Sequence, residues 1–146
     1  MSGLEGLYQE LILDHSKARD GFGLEDADGR SADSHQRNPI CGDEITLRVR
    51  VDEDGAVRDV SWEGAGCSIS QASASMLTGL VEGMPRTEAD ALIAGFREVL
   101  RSRGKLTLDE DMFGDAAALS GVSRYTARVK CAMLAWVALE DGLSRA

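Results

Sequence analysis

The sequence predicts an α+β fold: a small antiparallel β-sheet of about three strands packed against several α-helices. Two kinds of periodicity carry the prediction. Glu44 to Val51 alternates with a period of two, Ile45, Leu47, Val49 and Val51 on one face and Glu44, Thr46, Arg48 and Arg50 on the other, as a half-buried strand does. Asp52-Glu53-Asp54-Gly55 then reads as a turn, and Ala56 to Trp62 as the returning strand of a hairpin. The remaining apolar residues recur mostly at helical spacing. At 146 residues, the chain fits one domain, 1–146, with enough interior to fold without disulfide support.

From the amino terminus, Leu4, Leu7, Tyr8, Leu11 and His15 recur at helical spacing without a proline, predicting an amphipathic helix from Ser2 to about Ala18 that Gly21 and Gly23 end. His15 falls on or near the apolar stripe, where a hydrogen-bonded packing role is the commoner use of histidine. Leu24 to Arg37 is polar, with room for a short strand. After the hairpin, Ser68-Ile69-Ser70-Gln71 has the form of a capping box, and Ile69, Ala72, Met76, Leu77 and Leu80 continue a helix towards Gly83 and Pro85. Thr87 opens another helix that Gly104 closes. A less regular stretch follows, with a short helix at Asp115 to Leu119, and Thr126 to about Asp141 forms the last helix.

Composition removes several function classes. Hydrophobic content of 43% and charged content of 28% suit a globular protein, and no apolar run approaches membrane-spanning length. Met1 to Leu13 lacks the basic start of a signal peptide, which predicts a cytoplasmic protein with no membrane partner. A net charge of −9 repels phosphate backbones, so binding to nucleic acid through a general basic surface is not expected. Neither H-x-E with P-C-x-x-C nor H-E-x-x-H occurs, which disfavours a zinc deaminase or metalloprotease, and there is no Walker A sequence.

Chemistry concentrates at Cys41 and Asp43 in one loop, Cys67 after Gly64-Ala65-Gly66, and Cys131 near the start of the last helix. Core packing is the ordinary use of a single free cysteine. Here each lies beside a glycine-rich turn, an acid or basic side chains. An odd number of thiols cannot all pair within the chain, which favours metal binding or thiol chemistry. Three thiolates and a carboxylate suit one tetrahedral zinc, in a spacing that is not a zinc finger's. The hairpin brings the end of the Cys41 loop towards Cys67, and Cys67 sits just before a helix whose free N–H groups and dipole stabilise a thiolate.

Asn38-Pro39-Ile40-Cys41-Gly42-Asp43, the run from Gly64 to Met76, and Arg128-Val129-Lys130-Cys131-Ala132-Met133-Leu134-Ala135-Trp136 resemble the three signature segments of the U-type iron–sulfur cluster assembly proteins. Within that family they resemble the SufU branch more than the IscU scaffold branch. Lys130 stands where IscU proteins carry histidine, no proline occurs in Ser123 to Lys130, and Thr87 to Gly121 resembles the SufU insertion. One departure is Lys17-Ala18-Arg19-Asp20, where the family usually has Asn-Pro-Arg-Asn.

The resemblance implies a SufE/IscU-like fold in which Cys41, Asp43, Cys67 and Cys131 bind Zn²⁺. It further implies that Cys41 accepts sulfur from the persulfide of a SufS-type, pyridoxal-phosphate-dependent cysteine desulfurase, for passage to downstream iron–sulfur scaffold proteins. Arg128 then joins Cys41 as a catalytic candidate, as a cation that orients the arriving persulfide, and Lys130 offsets charge beside it. Two other uses of the same residues stay open: a scaffold on which an iron–sulfur cluster is built, and a structural zinc module without sulfur chemistry.

Overall fold

The structure, a computed structural model, describes residues 3–39 and 42–146, with residues 4, 5 and 7 described by backbone alone. Its regular elements are α1 (Gly3–Ala18), β1 (Arg30–Asn38), β2 (Asp43–Val51), β3 (Val57–Ala65), α2 (Ser68–Val81), α3 (Arg86–Leu100), the short α4 (Glu110–Phe113), a 3-10 helix (Gly114–Arg124) and α5 (Thr126–Arg145). The three strands form one antiparallel sheet in the order β1-β2-β3, with Asn38 opposite Asp43 and Glu44 opposite Ala65. The α+β prediction therefore holds. No described helix is long and apolar enough to cross a membrane.

β2 alternates as its sequence does, with Ile45, Leu47 and Val49 in the core. Its outer face departs from that pattern at one point. Arg50 is only 8% exposed because Asp59 and Asp28 close over its guanidinium, with hydrogen bonds of 2.8 and 3.0 Å that hold its pKa above the ordinary range. A desolvated cation is tolerated where carboxylates satisfy its donors.

β1 runs nine residues, more than the short strand expected, although it contains no large apolar side chain. Polar links stabilise it instead. Asp33 takes two hydrogen bonds from Arg48, at 2.7 and 2.8 Å, and Ser34 donates to Asp141 of α5 at 2.7 Å. The Ser34 hydroxyl first, and then Arg145, hold the Asp141 carboxyl below the usual range. That stabilisation is present at neutral pH and fades as the pH falls through the lowered value.

The turn after α1 is anchored in spite of its departure from the family sequence. Arg19 adopts a left-handed φ of 47° with its guanidinium 4.1 Å from the Phe22 ring centre, Asp20 N–H donates to Ser75 Oγ, and the Trp62 indole donates to Asp20 C=O. His15 has the hydrogen-bonded role expected of it, between Ser75 Oγ at 2.8 Å and Asp115 Oδ2 at 2.9 Å.

α5 lies across β1 and β2 so closely that a Cβ on Gly142 would stand 3.0 Å from Val49 Cγ1. α2 packs against both α1 and α5. At the latter junction the indole N–H of the fully buried Trp136, which stacks on Phe96 of α3 with ring centres 3.8 Å apart, donates to Ser73 Oγ at 2.9 Å. Ser73 in turn donates to Ala132 C=O at 2.6 Å. One hydroxyl therefore ties α2 to α5, the two helices that carry Cys67 and Cys131. Ser73→Ala should leave the indole donor buried without a partner and lower unfolding free energy by about 1–3 kcal/mol, measured by urea denaturation.

Candidate metal centre

Three of the four predicted ligands are described, and the fold brings them together. The carboxylate of Asp43 and the sulfurs of Cys67 and Cys131 offer ligand atoms that all lie within 4.8 Å of one another. A tetrahedral zinc with bonds of about 2.3 Å sets its sulfurs roughly 3.8 Å apart, so a contraction of about 1 Å at most closes the group around one ion. The donor set of soft sulfurs with one carboxylate also fits zinc.

Each ligand is placed by a different element. Asp43 is the first residue of β2 and is 1% exposed. Its Oδ1 accepts the Cys67 N–H at 2.9 Å, and its Oδ2 faces Cys67 Sγ at 3.7 Å. Cys67 is half-buried and caps the amino terminus of α2 with extended backbone, φ −70° and ψ 170°. Cys131 is 2% exposed in the second turn of α5, its Sγ 3.9 Å from Ala127 C=O.

The expected capping box does not form. Ser68 is the first helical residue and makes no side-chain cap; the cap position falls one residue earlier, on Cys67, whose N–H is taken up by Asp43 from another strand. That leaves the thiol turned towards the carboxylate, while Ser70 braces the turn by donating to Cys67 C=O at 3.0 Å. Ser70 Oγ also stands 4.0 Å from Cys67 Sγ. Sequence reasoning passed over Ser70, although its position three residues after Cys67 on a helix was a usable signal.

Cys41 lies outside the described residues. Its connection is nonetheless short: Asn38 pairs with Asp43, and Gly42, at φ +74°, donates its N–H to Asn38 C=O at 2.9 Å.

Arg128 and Lys130 are both exposed in the opening turns of α5, which has no acid in its first turn. Cations are disfavoured by the dipole at a helix amino terminus, so an anionic neighbour is the natural reason for placing them there. Arg128 lines a cavity of about 300 Å³ with Tyr8, Ile12, Ile69, Val122 and Tyr125. None of Asp43, Cys67 and Cys131 lines this cavity; Arg128 is linked to the ligand group by its place on α5, three residues before Cys131. Lys130 faces a different cavity, beside Asn38 and Pro39. His15 is no member of the ligand group among the described residues.

Glycine is required at position 66 by space. A Cβ there would collide with Ser70 Oγ and come within 2.5 Å of Asp43 Oδ1, pressing on the carboxylate and on the residue that braces Cys67. Gly66→Ala should therefore weaken zinc retention by roughly 10- to 100-fold, the range seen when support around a ligand is disturbed, as read by competition with a chromogenic chelator.

The geometry has counterparts in known proteins. A family model described as NifU-like N terminal domain matches residues 7–132. The zinc-dependent sulfurtransferase SufU of Bacillus subtilis is 40% identical over 144 residues, covering 99% of this chain and 94% of that one. The iron–sulfur cluster assembly scaffold protein IscU of Streptococcus pyogenes is 39% identical over 145 residues, covering 99% and 87%. A crystal structure of a putative iron–sulfur cluster assembly scaffold protein for the SUF system from Fervidobacterium islandicum superposes with a TM-score of 0.81 at 34% identity, over 95% of this chain and 98% of that chain. With the fold, the ligand group and the full-length similarity in agreement, this chain belongs to the NifU-like N-terminal domain family, the U-type proteins of iron–sulfur cluster assembly.

Proposed function

We propose that this protein is a zinc-dependent sulfur acceptor that takes persulfide sulfur from a cysteine desulfurase during iron–sulfur cluster assembly. The observation that carries the reading is the meeting of Asp43, Cys67 and Cys131 at one point, two residues along the chain from a further thiol at Cys41. Asp43, Cys67 and Cys131 would hold zinc together with Cys41, and the ion would keep the sulfur ligands as thiolates. Three thiolates and a carboxylate outweigh the charge of a dication, so the site is anionic and its ligands exchangeable.

The chain's own groups supply the rest. Asp43 is held by the Cys67 N–H and so cannot swing away when a neighbouring ligand leaves. The Cys41 thiolate attacks the outer sulfur of the donor's cysteine persulfide. A sulfur–sulfur bond forms at Cys41, the donor's own sulfur–sulfur bond breaks, and the donor cysteine leaves as a thiolate that takes up a proton. Arg128, exposed on α5 three residues before Cys131, offers the arriving anion a guanidinium. The sulfur then passes to a downstream iron–sulfur scaffold protein.

A scaffold role, with a cluster on the same thiolates, is the second reading, supported by the 39% identity to the Streptococcus pyogenes scaffold protein. Against it stand Lys130 before Cys131 and the segment from α3 to the 3-10 helix, both resembling the SufU branch. Incubation of the zinc-loaded protein with a SufS-type desulfurase and free cysteine should add sulfur to the Cys41 peptide, read by mass spectrometry. Cys41→Ser should abolish the addition, and Arg128→Ala should slow it without loss of zinc. Absence of added sulfur while zinc is retained contradicts the proposal. A visible-absorbing cluster that forms anaerobically and moves to an apo-protein replaces it with the scaffold reading.

A further inference from the structure

A groove of about 540 Å³ runs between α3, α5 and the end of β1, and its chemistry is opposite to that of the chain as a whole. α5 contributes one continuous helical stripe, Thr126, Val129, Lys130, Met133, Leu134 and Val137, at spacings of three and four. Leu100 of α3 completes the apolar floor. The rim is cationic: Arg37 from β1, Arg97 and Arg101 from α3, Arg103 just beyond it, and Lys130 from α5. Among the described residues no carboxylate lines the groove, in a chain of net charge −9.

Helix termini and ion pairing explain only part of this rim. Arg97 is paired with Glu140 at 2.7 and 3.0 Å, and Arg101 is near enough to Glu140 to help hold its carboxyl below the usual range. Both also lie at the carboxyl end of α3, where the dipole favours cations. Arg37, Arg103 and Lys130 make no ion pair with a described residue, and Lys130 stands near the disfavoured end of its helix. Like charges gathered from three elements around an aliphatic floor repel one another unless something anionic sits among them.

We propose that this groove binds an acidic, amphipathic helix of a partner protein, its aliphatic face on Val129, Met133 and Val137 and its carboxylates on Arg37, Arg101 and Arg103. Shape favours a helix, because two helix faces bounding an apolar trough are the usual receiver of a third. A nucleic acid would find no aromatic ring among the lining residues on which to stack, and the −9 chain repels a long polyanion or an anionic bilayer beyond the groove. Asn38, which pairs with Asp43, and Lys130, which precedes Cys131, both line the groove, so an occupant would be held close to the ligand group.

The docking surface does not depend on the sulfur-transfer reading, since binding is measured without any desulfurase and persulfidation can fail while docking holds. The probe is a synthetic amidated peptide with leucine at helical spacing and glutamate elsewhere, titrated into the ¹⁵N-labelled full chain. Amide shifts should concentrate in 36–39, 97–103 and 126–137. Arg37→Glu with Arg101→Glu should weaken binding by about tenfold or more, as reversal of rim charges does, and Val137→Ser should weaken it with every charge in place. Equal binding of a peptide with serine in place of leucine, shifts scattered over the surface, or unchanged affinity in either variant overturns the proposal. So does occupation of the groove by dodecanoate but not by the peptide, which would make it a site for a small amphiphile.

Discussion

A carboxylate that is 1% exposed has to be compensated where it sits, and in this protein one of the hydrogen bonds it accepts also joins two distant segments. Asp43 opens β2, Cys67 caps α2, and the Cys67 N–H donates to Asp43. The hairpin sets the distance, because Glu44 lies opposite Ala65 and the two residues that follow Ala65 lead directly to the cap. The bond then turns the Cys67 sulfur towards the carboxylate. Cys131 arrives separately, on α5, which the Ser73 hydroxyl ties to α2 and the Phe96–Trp136 stack ties to α3. Sheet register and helix packing thus meet at one carboxylate and two sulfurs that could hold a single metal ion.

Charge is distributed around that group with a clear polarity. Asp28 and Asp59 close over Arg50 on the outer face of the sheet. Exposed cations collect on and beside the helix that carries Cys131: Arg128 and Lys130 in the opening turns of α5, and Arg101 and Arg103 just beyond α3. A protein of net charge −9 therefore presents a positive surface where its chemistry is proposed to occur. Such an arrangement steers anionic groups of a partner towards the site while the remainder of the surface discourages unspecific contact.

Much of this was legible in the sequence because it rests on local pattern. The alternation of β2, the turn at Asp52 to Gly55, and the helical spacing after Cys67 each describe a short stretch whose apolar face has one place to go. The convergence of Asp43 with Cys67 followed from hairpin pairing, and that of Cys131 from the family resemblance. What remained hidden was non-local. β1 showed only as room for a short strand in a polar stretch, because its partners, Arg48 and Asp141, are far along the chain. Ser68 looked like a cap because nothing in its own segment shows that Asp43 will satisfy the preceding residue instead. The basic groove draws Arg37, Arg101 and Lys130 from three elements, and no single stretch of sequence carries its signature.

X-ray absorption at the zinc edge of the purified protein tests the central claim most directly, because it reports what surrounds the ion. The account predicts one zinc per chain with a first shell of mostly sulfur at about 2.3 Å and one oxygen scatterer that Asp43→Ala removes. A shell of nitrogen and oxygen alone, or one unaltered by substitution of Asp43, Cys67 or Cys131, would contradict it.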